Sequence, residues 1–278
     1  MISVENIILL NEFVYPMEKP DLDECVLFAR ESECWRLTLA RPNKAHALTA
    51  SMMRNVASAV ARAGSESPVL PVILASYGSR AFCAGADITE FSGNAERLTE
   101  QEEALLRMLG NMASTKSPII AVARGRAAGA GLMLLCLADI VIAADDLSLA
   151  APEIAFGMYP VFVEAVLQSR LPPGLASQLC MSKRSLDASA AHSLGLVTEV
   201  LPGADFSSKS AARVRYYLDR ATALRTARAA RIGEECVGAL VRRLRQVSPL
   251  MLANFADESV RQRIHSYLTN LRVGASPH

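Results

Sequence analysis

Two short segments, AFCAGADITE (81–90) and RAAGAGLMLLCLADI (126–140), most constrain what this chain folds into. Both place glycine and other small residues at a turn, where main-chain N–H groups can approach a ligand with no side chain in the way. Cys83-Ala84-Gly85-Ala86-Asp87 follows the apolar run Val69 to Ala75, which reads as a buried strand. Gly129-Ala130-Gly131 opens Leu132–Leu137, which reads as a buried helix with its positive dipole end facing back onto the glycines. Two N–H donors converging on one oxygen make an oxyanion hole, which suits a substrate carbonyl that becomes an enolate.

The rest of the chain alternates short strands with helices. A helical pattern covers 50–63 and breaks at Ser65-Glu66-Ser67-Pro68. Val69–Ser76, Pro118–Val122 and Ile140–Ala144 read as strands, with an amphipathic helix over Leu98–Ser114 and the buried helix over 131–138 between them. Pro172-Pro173-Gly174 introduces a helix over Leu175–Met181. Ser185-Leu186-Asp187-Ala188 caps the next, which ends at Gly195 ahead of a strand over Val197–Val200. Residues 1–34 are irregular, with Pro16, Pro20 and the acidic cluster Asp21, Asp23 and Glu24; within them Cys25–Ala29 is predicted to pair with Cys34–Leu39. Beyond Pro202-Gly203, residues 208–247 are rich in alanine and arginine, and Pro249–Leu271 reads as one last helix. The alternation makes the class α/β. No internal sequence repeat is visible.

A chain of 278 residues holds one large domain, or one domain with an appendage. With 51% hydrophobic and 21% charged residues it can bury a sizeable core, and a net charge of +1 supplies no general attraction for nucleic acid or an anionic membrane. Cys25, Cys34, Cys83, Cys136, Cys180 and Cys236 are scattered with no CxxC pair, and no histidine stands at ligand spacing. Neither a metal site nor a disulfide framework is therefore expected, and a reducing compartment is. Ile2–Leu10 carries Glu5 and Asn6 with no basic segment before it, so it does not read as a targeting signal. The longest apolar stretch, Ala127–Ala138, has 12 residues, fewer than the roughly 20 that cross a bilayer. The expected location is cytoplasmic.

The glycine turns also carry a resemblance. With RPNKAHALT (41–49), LADIVIAADD and APEIAFGMYP (151–160) in order around them, the chain resembles the crotonase superfamily, the enoyl-CoA hydratase/isomerase fold, from about Trp35 to Leu201 and weakly in the helical tail. The resemblance implies an α/β spiral of stacked ββα turns of the ClpP/crotonase kind over residues 1–205, with 1–34 as an irregular N-terminal extension. It implies a C-terminal helical region over 206–278 that packs on that core or on a neighbouring subunit. It also implies an acyl thioester of coenzyme A or acyl-carrier protein as substrate, no separate cofactor, and assembly as a trimer or hexamer.

On the family's motifs, Ala86 and Ala130 match the two oxyanion donors; without the family, both read as small residues in tight turns. Ala130 replaces the middle glycine of the common triple, which leaves the N–H usable if φ there is negative. Glu153, in Ala151-Pro152-Glu153, matches the catalytic glutamate. Its apolar flanks would desolvate it and raise its pKa toward working pH; the other reading is a turn cap with its head in water. Met133 is the departure, because hydratases of the family carry a second glutamate there, and a methionine neither holds water nor exchanges a proton. Dienoyl isomerases and hydroxyisobutyryl-CoA hydrolases place an aspartate eight residues after the catalytic glutamate, where this chain has Val161. Δ3,Δ2-enoyl-CoA isomerases keep the one glutamate and an apolar residue at the Met133 position, with a bulky segment afterwards, as Met158-Tyr159-Pro160-Val161-Phe162 is here. The expected reaction is therefore double-bond isomerisation, with hydration or C–C bond chemistry as alternatives. A non-catalytic thioester-binding or assembly protein is the rival of another class. A Clp-type serine peptidase shares the spiral but needs a nucleophilic serine where this chain reads Ala128-Gly129-Ala130-Gly131-Leu132.

For the coenzyme, the resemblance points to Lys44 and to the turn Ala84, Asp87, Ile88 and Thr89, with Arg41 and Arg80 as further candidates. Glu164 is a candidate second acid, read more simply as an exposed glutamate at a helix start. Glu90 reads as a solvated helix residue, Cys83 as packing, and His46 as a surface histidine. The arginines Arg213, Arg215, Arg220, Arg225, Arg228 and Arg231 read mainly as a solvated helical face.

Overall fold

A computed structural model of the chain describes residues 25–78, 80–90, 95–182 and 184–272. In order, the elements are β1 (Val26–Arg30), β2 (Trp35–Leu39), α1 (Ala50–Ser65), β3 (Val72–Ser76), β4 (Ala81–Cys83), α2 (Ala95–Ser114), β5 (Ile119–Ala123) and β6 (Arg126–Ala128). There follow α3 (Ala130–Leu137), β7 (Ile140–Ala144), β8 (Ser148–Ala150), α4 (Val161–Leu167), α5 (Pro173–Met181), β9 (Leu186–Asp187), α6 (Ala188–Ser193) and β10 (Glu199–Leu201). Four helices end the chain: α7 (Phe206–Leu218), α8 (Ala221–Arg231), α9 (Glu234–Ala256) and α10 (Glu258–Arg272).

The strands form two sheets, a large one in the order β1-β2-β3-β5-β7-β10 and a small one in the order β4-β6-β8-β9. Each successive turn of chain places its first strand in the large sheet and its second in the small one: β3 then β4, β5 then β6, β7 then β8. Helices α2, α3 and α4 follow those turns. This is the ββα spiral, built from turns that share no sequence repeat. The structural requirement is only that each turn offer one longer and one shorter apolar strand.

The large-sheet strands read as unbroken apolar runs because both of their faces are buried. Val72, Leu74, Ile119, Ala121, Ala123, Val141 and Ala143 face the main core beneath α1 and α2. Their alternates Ile73, Ala75, Ile120, Val122, Ile142 and Ala144 face a second cluster closed by Phe206, Ala211, Val214 and Leu218 of α7. Helix α1 starts where Thr49 Oγ1 accepts the Met52 N–H, a cap that typically contributes about 1 kcal/mol.

Several boundaries differ from the sequence reading. β3 begins at Val72 rather than Val69, because Pro68 and Pro71 have no N–H to give a ladder. Pro249 does not open the last helix but lies inside α9, with the buried Leu240, Leu244 and Met251 on either side of it holding the helix down. The break comes at Asp257, whose carboxylate accepts the Ser259 and Val260 N–H groups and so caps α10. Residues 1–24 of the expected N-terminal extension, Ile2–Leu10 among them, lie outside the described residues. Among the described residues no helix is long and apolar enough to cross a membrane.

Arg228 is not on a solvated face. It is 3% exposed, its Nε donates to Thr115 O at 2.9 Å, its Nη2 to Met112 O and Ala113 O, and its Nη1 faces Asp139. A cation is thereby set on the C-terminal carbonyls of α2, where the helix dipole favours it. Arg213 and Tyr217 likewise hold the Glu199 carboxylate, and Arg215 pairs with Glu33. Helical spacing had shown the charges without showing their partners.

Candidate active site

β4, β6 and β8 are neighbours in the small sheet, all parallel, with Ala81 opposite Arg126 and Arg126 opposite Ser148. Their carboxyl ends therefore lie side by side. Each end carries one of the predicted parts: Ala84-Gly85-Ala86 after β4, Gly129-Ala130 after β6, and Pro152-Glu153 after β8.

The first turn is fixed from outside by the loop 41–49. Ala84 N–H donates to Ala45 O, Leu48 N–H to Gly85 O and Asp87 N–H to Leu48 O. This parallel bridge between Leu48 and Ala86 uses the Gly85 carbonyl as acceptor and the Asp87 N–H as donor, and leaves the Ala86 N–H out. At the second turn Gly129 N–H donates to Ala150 O, and Ala130 is the first residue of α3, beyond the reach of intrahelical bonding. Among the described residues, neither the Ala86 nor the Ala130 N–H has an acceptor. Ala130 has a negative φ, since only Ala45 and His46 among the described non-glycine residues have positive values. The condition for an alanine at this position is met. Gly131 sets the separation of the turns, because a Cβ there would collide with Cys83 O on β4.

Glu153 lies in a 3-10 turn, Pro152–Phe156, with its carboxylate against the second glycine turn. Gly129 has φ +50°, and a Cβ on it would stand 2.8 Å from Glu153 Oε1, so a glycine is needed both for the turn and for the carboxylate's place. The residue as a whole is half-buried, yet Oε2 is cut off from solvent and has no hydrogen-bond partner. Desolvation pushes the pKa up to about 7, against a smaller opposing effect of its own backbone N–H. Of the two readings open in the sequence, the geometry is that of the desolvated carboxylate.

These three parts border a cavity of about 120 Å³. Met133 and Val161 both line it, so the two positions where the resemblance would place a second carboxylate are apolar here. Among the described lining residues Glu153 is the only carboxylate. Tyr159 and Phe162 of the bulky segment also line it, as do Leu105 on α2 and Met251, Asn254 and Phe255 on α9. The α9 residues were not foreseen. Their helical spacing marks a buried stripe, but nothing local says which cavity the stripe covers.

The residues matched to the coenzyme separate into two groups. Ala84 and Ile88 line the cavity. Asp87 and Thr89 hold their own turn, with Asp87 Oδ1 accepting from the Thr89 N–H and hydroxyl and Oδ2 accepting from Arg41 Nη1 at 2.6 Å. Burial alone would raise the Asp87 pKa, but the Thr89 and Arg41 contacts outweigh it and hold the carboxyl below its ordinary value. Arg41 is thus engaged, also donating to Ala47 O, while Lys44 and Arg80 are exposed.

His46 is not a surface residue. It is 2% exposed at φ +56°, its Nδ1 accepts the Arg41 N–H at 3.0 Å, and desolvation lowers its pKa. It pins the loop as a neutral ring. Glu90 is no solvated helix residue, since its carboxylate accepts the Ala50 N–H at the start of α1 and bonds Gln101. Glu164 sits in the first turn of α4 as expected but is half-buried, accepting from Ser177 on α5 and from Gln168, and does not line the cavity. Cys83 is buried packing, its thiol pushed up to about 12 by desolvation.

Comparison with known proteins agrees with this architecture. A family model described as Enoyl-CoA hydratase/isomerase matches residues 30–273. A Mycobacterium tuberculosis protein named "Probable enoyl-CoA hydratase" is 31% identical over 192 residues, 68% of this chain and 73% of that one. A short-chain-enoyl-CoA hydratase of Clostridium acetobutylicum is 30% identical over 182 residues, 63% of this chain and 68% of its own. The crystal structure of an enoyl-CoA hydratase from Bacillus halodurans superposes with a TM-score of 0.79 over 87% of this chain and 100% of that one, at 18% identity. The chain belongs to the enoyl-CoA hydratase/isomerase family and is an acyl-CoA enzyme of that family.

Proposed function

We propose that this enzyme moves the double bond of an enoyl thioester, with Glu153 as the one proton shuttle. The observation that carries the reading is a cavity bordered, among the described residues, by two N–H groups without acceptors and a single carboxylate, with Met133 and Val161 where the family resemblance would place a second. The Glu153 carboxylate takes a proton from C2 of a 3-enoyl thioester. The electron pair spreads to the thioester oxygen, where the Ala86 and Ala130 N–H groups receive the charge. The protonated Glu153 then returns the proton at C4, giving the conjugated 2-enoyl thioester. Each such donor is typically worth about 3–4 kcal/mol in the transition state. A base with a pKa of about 7 is half-ionised near neutrality, close to the best compromise for taking and returning a proton.

The substrate supplies coenzyme A or acyl-carrier protein, and the reaction as written needs no further cofactor. Trimeric or hexameric assembly is part of the same reading.

The test is incubation with 3-enoyl and 2-enoyl thioesters in deuterated water, followed by mass and product analysis. Interconversion with deuterium at C2 or C4 is expected. The hydratase reading is favoured by the names of the two relatives. Hydration of crotonyl-CoA at about 10 per second or faster would replace isomerisation with that reading. Thioester binding with no proton exchange would instead point to a non-catalytic protein.

A further inference from the structure

Away from the two turns and Glu153 the wall of the cavity is mostly apolar side chain, with Leu105 from α2, Met133 from α3, Phe162 from α4, and Met251 and Phe255 from α9, while Tyr159 and Asn254 also border it. Four of the apolar residues are tightly packed, with exposures of 6% for Leu105, 3% for Met133, 4% for Phe162 and 8% for Met251. Packed interiors yield little to an added methylene. The α9 part of the wall is also tied down on both sides of Met251. Ser248 donates its hydroxyl to Glu102 on α2, and Asn254 Nδ2 donates to Tyr159 O at 3.4 Å. Beyond it, Arg263 of α10 donates to Phe156 O at 3.2 Å, closing the helix pair onto the turn that carries Glu153.

Volume sets what fits. An apolar cavity of about 150 Å³ takes a benzene molecule, whereas this one is about 120 Å³ and must also receive the thioester carbonyl. Roughly four to six acyl carbons correspond to that space. Among the described residues the lining offers no cation, so a terminal carboxylate on the acyl chain would be buried without a counter-charge.

We propose that Met251 and Phe255 on α9 are specificity-determining residues that restrict this enzyme to short, uncharged acyl thioesters. This rests on the acyl-thioester reading of the site. Chain length is then set by α9, remote in sequence from the two glycine turns and from Glu153.

The test measures binding, which needs no turnover. Saturated acyl-CoA thioesters from butyryl to dodecanoyl, with adipyl-CoA beside hexanoyl-CoA, are titrated by calorimetry against the wild type, Met251→Ala and Met251→Phe. In the wild type, affinity is expected to rise about fourfold per methylene up to roughly six carbons and then to fall. Adipyl-CoA is expected to bind at least tenfold more weakly than hexanoyl-CoA, as ~1.4 kcal/mol or more of uncompensated burial implies. Met251→Ala moves the optimum to longer chains and Met251→Phe to shorter ones; Phe255→Ala takes the place of Met251→Ala if that variant does not fold. Affinity that climbs steadily to dodecanoyl-CoA, or a profile that no variant moves, overturns the proposal. A length-dependent profile with no turnover would uphold it and sink the isomerase reading alone, while a failure to bind any acyl-CoA would sink both.

Discussion

The strand ends and the helical roof face each other across one cavity, but they are made differently. At the ends of β4, β6 and β8 stand two main-chain N–H groups and one carboxylate, the working groups of the proposed reaction, held by hydrogen bonds and glycines close to the strand ends. In α9 the contribution is volume, from Met251 and Phe255. Changes at the strand ends are therefore expected to cost rate, and changes in the roof to shift which substrate is preferred.

Glu153→Gln offers the hardest test of that division. It keeps the shape and removes the base, so turnover is expected to fall at least ~100-fold and as much as ~10⁴-fold while thioester binding persists. Loss of only a few-fold would move the base elsewhere, Glu164 first. The same carboxyl makes two pH statements. In the wild type, kcat/KM is expected to rise along a limb with an apparent pKa of about 7, and the variant should lack that limb. Because the folded state holds the proton more tightly than the unfolded chain, stability falls as pH rises from the ordinary glutamate value to about 7 and is then level. Melting of wild type against Glu153→Gln across pH 4 to 8 reads this, the variant gaining relative stability toward the upper end.

Ala130→Pro comes next in size. It deletes the N–H at the first residue of α3, where proline is otherwise tolerated, so the expected loss is about 3–4 kcal/mol of transition-state stabilisation with little loss of fold. Normal turnover in a variant that melts like the wild type would show that this N–H does not meet the thioester oxygen.

Phe255→Ala probes the other side. Loss of part of an aromatic contact is expected to raise KM by about tenfold, with kcat nearly kept. A fall in kcat as large as that of Glu153→Gln would erase the distinction between the two regions. Ala130→Gly has the smallest expected effect: the donor stays, and turnover within a few-fold of wild type is expected, checked by steady-state kinetics.

The same division decides what was legible in the sequence. The places of the glycine turns and of Pro152-Glu153 at the strand ends could be read because each is set by its own backbone or an adjacent apolar stretch, and short local patterns preserve that. The strands of the large sheet were legible for a similar reason, since burial on both faces writes an unbroken apolar run. His46 and Arg228 were not, because their roles are set by partners the pattern does not name. His46 is buried through the Arg41 N–H of its own folded loop, and Arg228 through carbonyls more than a hundred residues earlier. Asp87 and Thr89 stand in the expected turn, but their hydrogen bonds serve the turn itself. Met251 and Phe255 were hidden in a helix whose stripe shows burial but not its object.

The contact between Gly131 and Cys83 O brings α3 against β4 backbone to backbone, with no flexible side chain between. The spacing of the two donors is then a property of the folded main chain, settled once when the sheet and helix come together. The two N–H groups then lose no ordering entropy of their own when an oxygen arrives between them, because folding has already fixed where they stand.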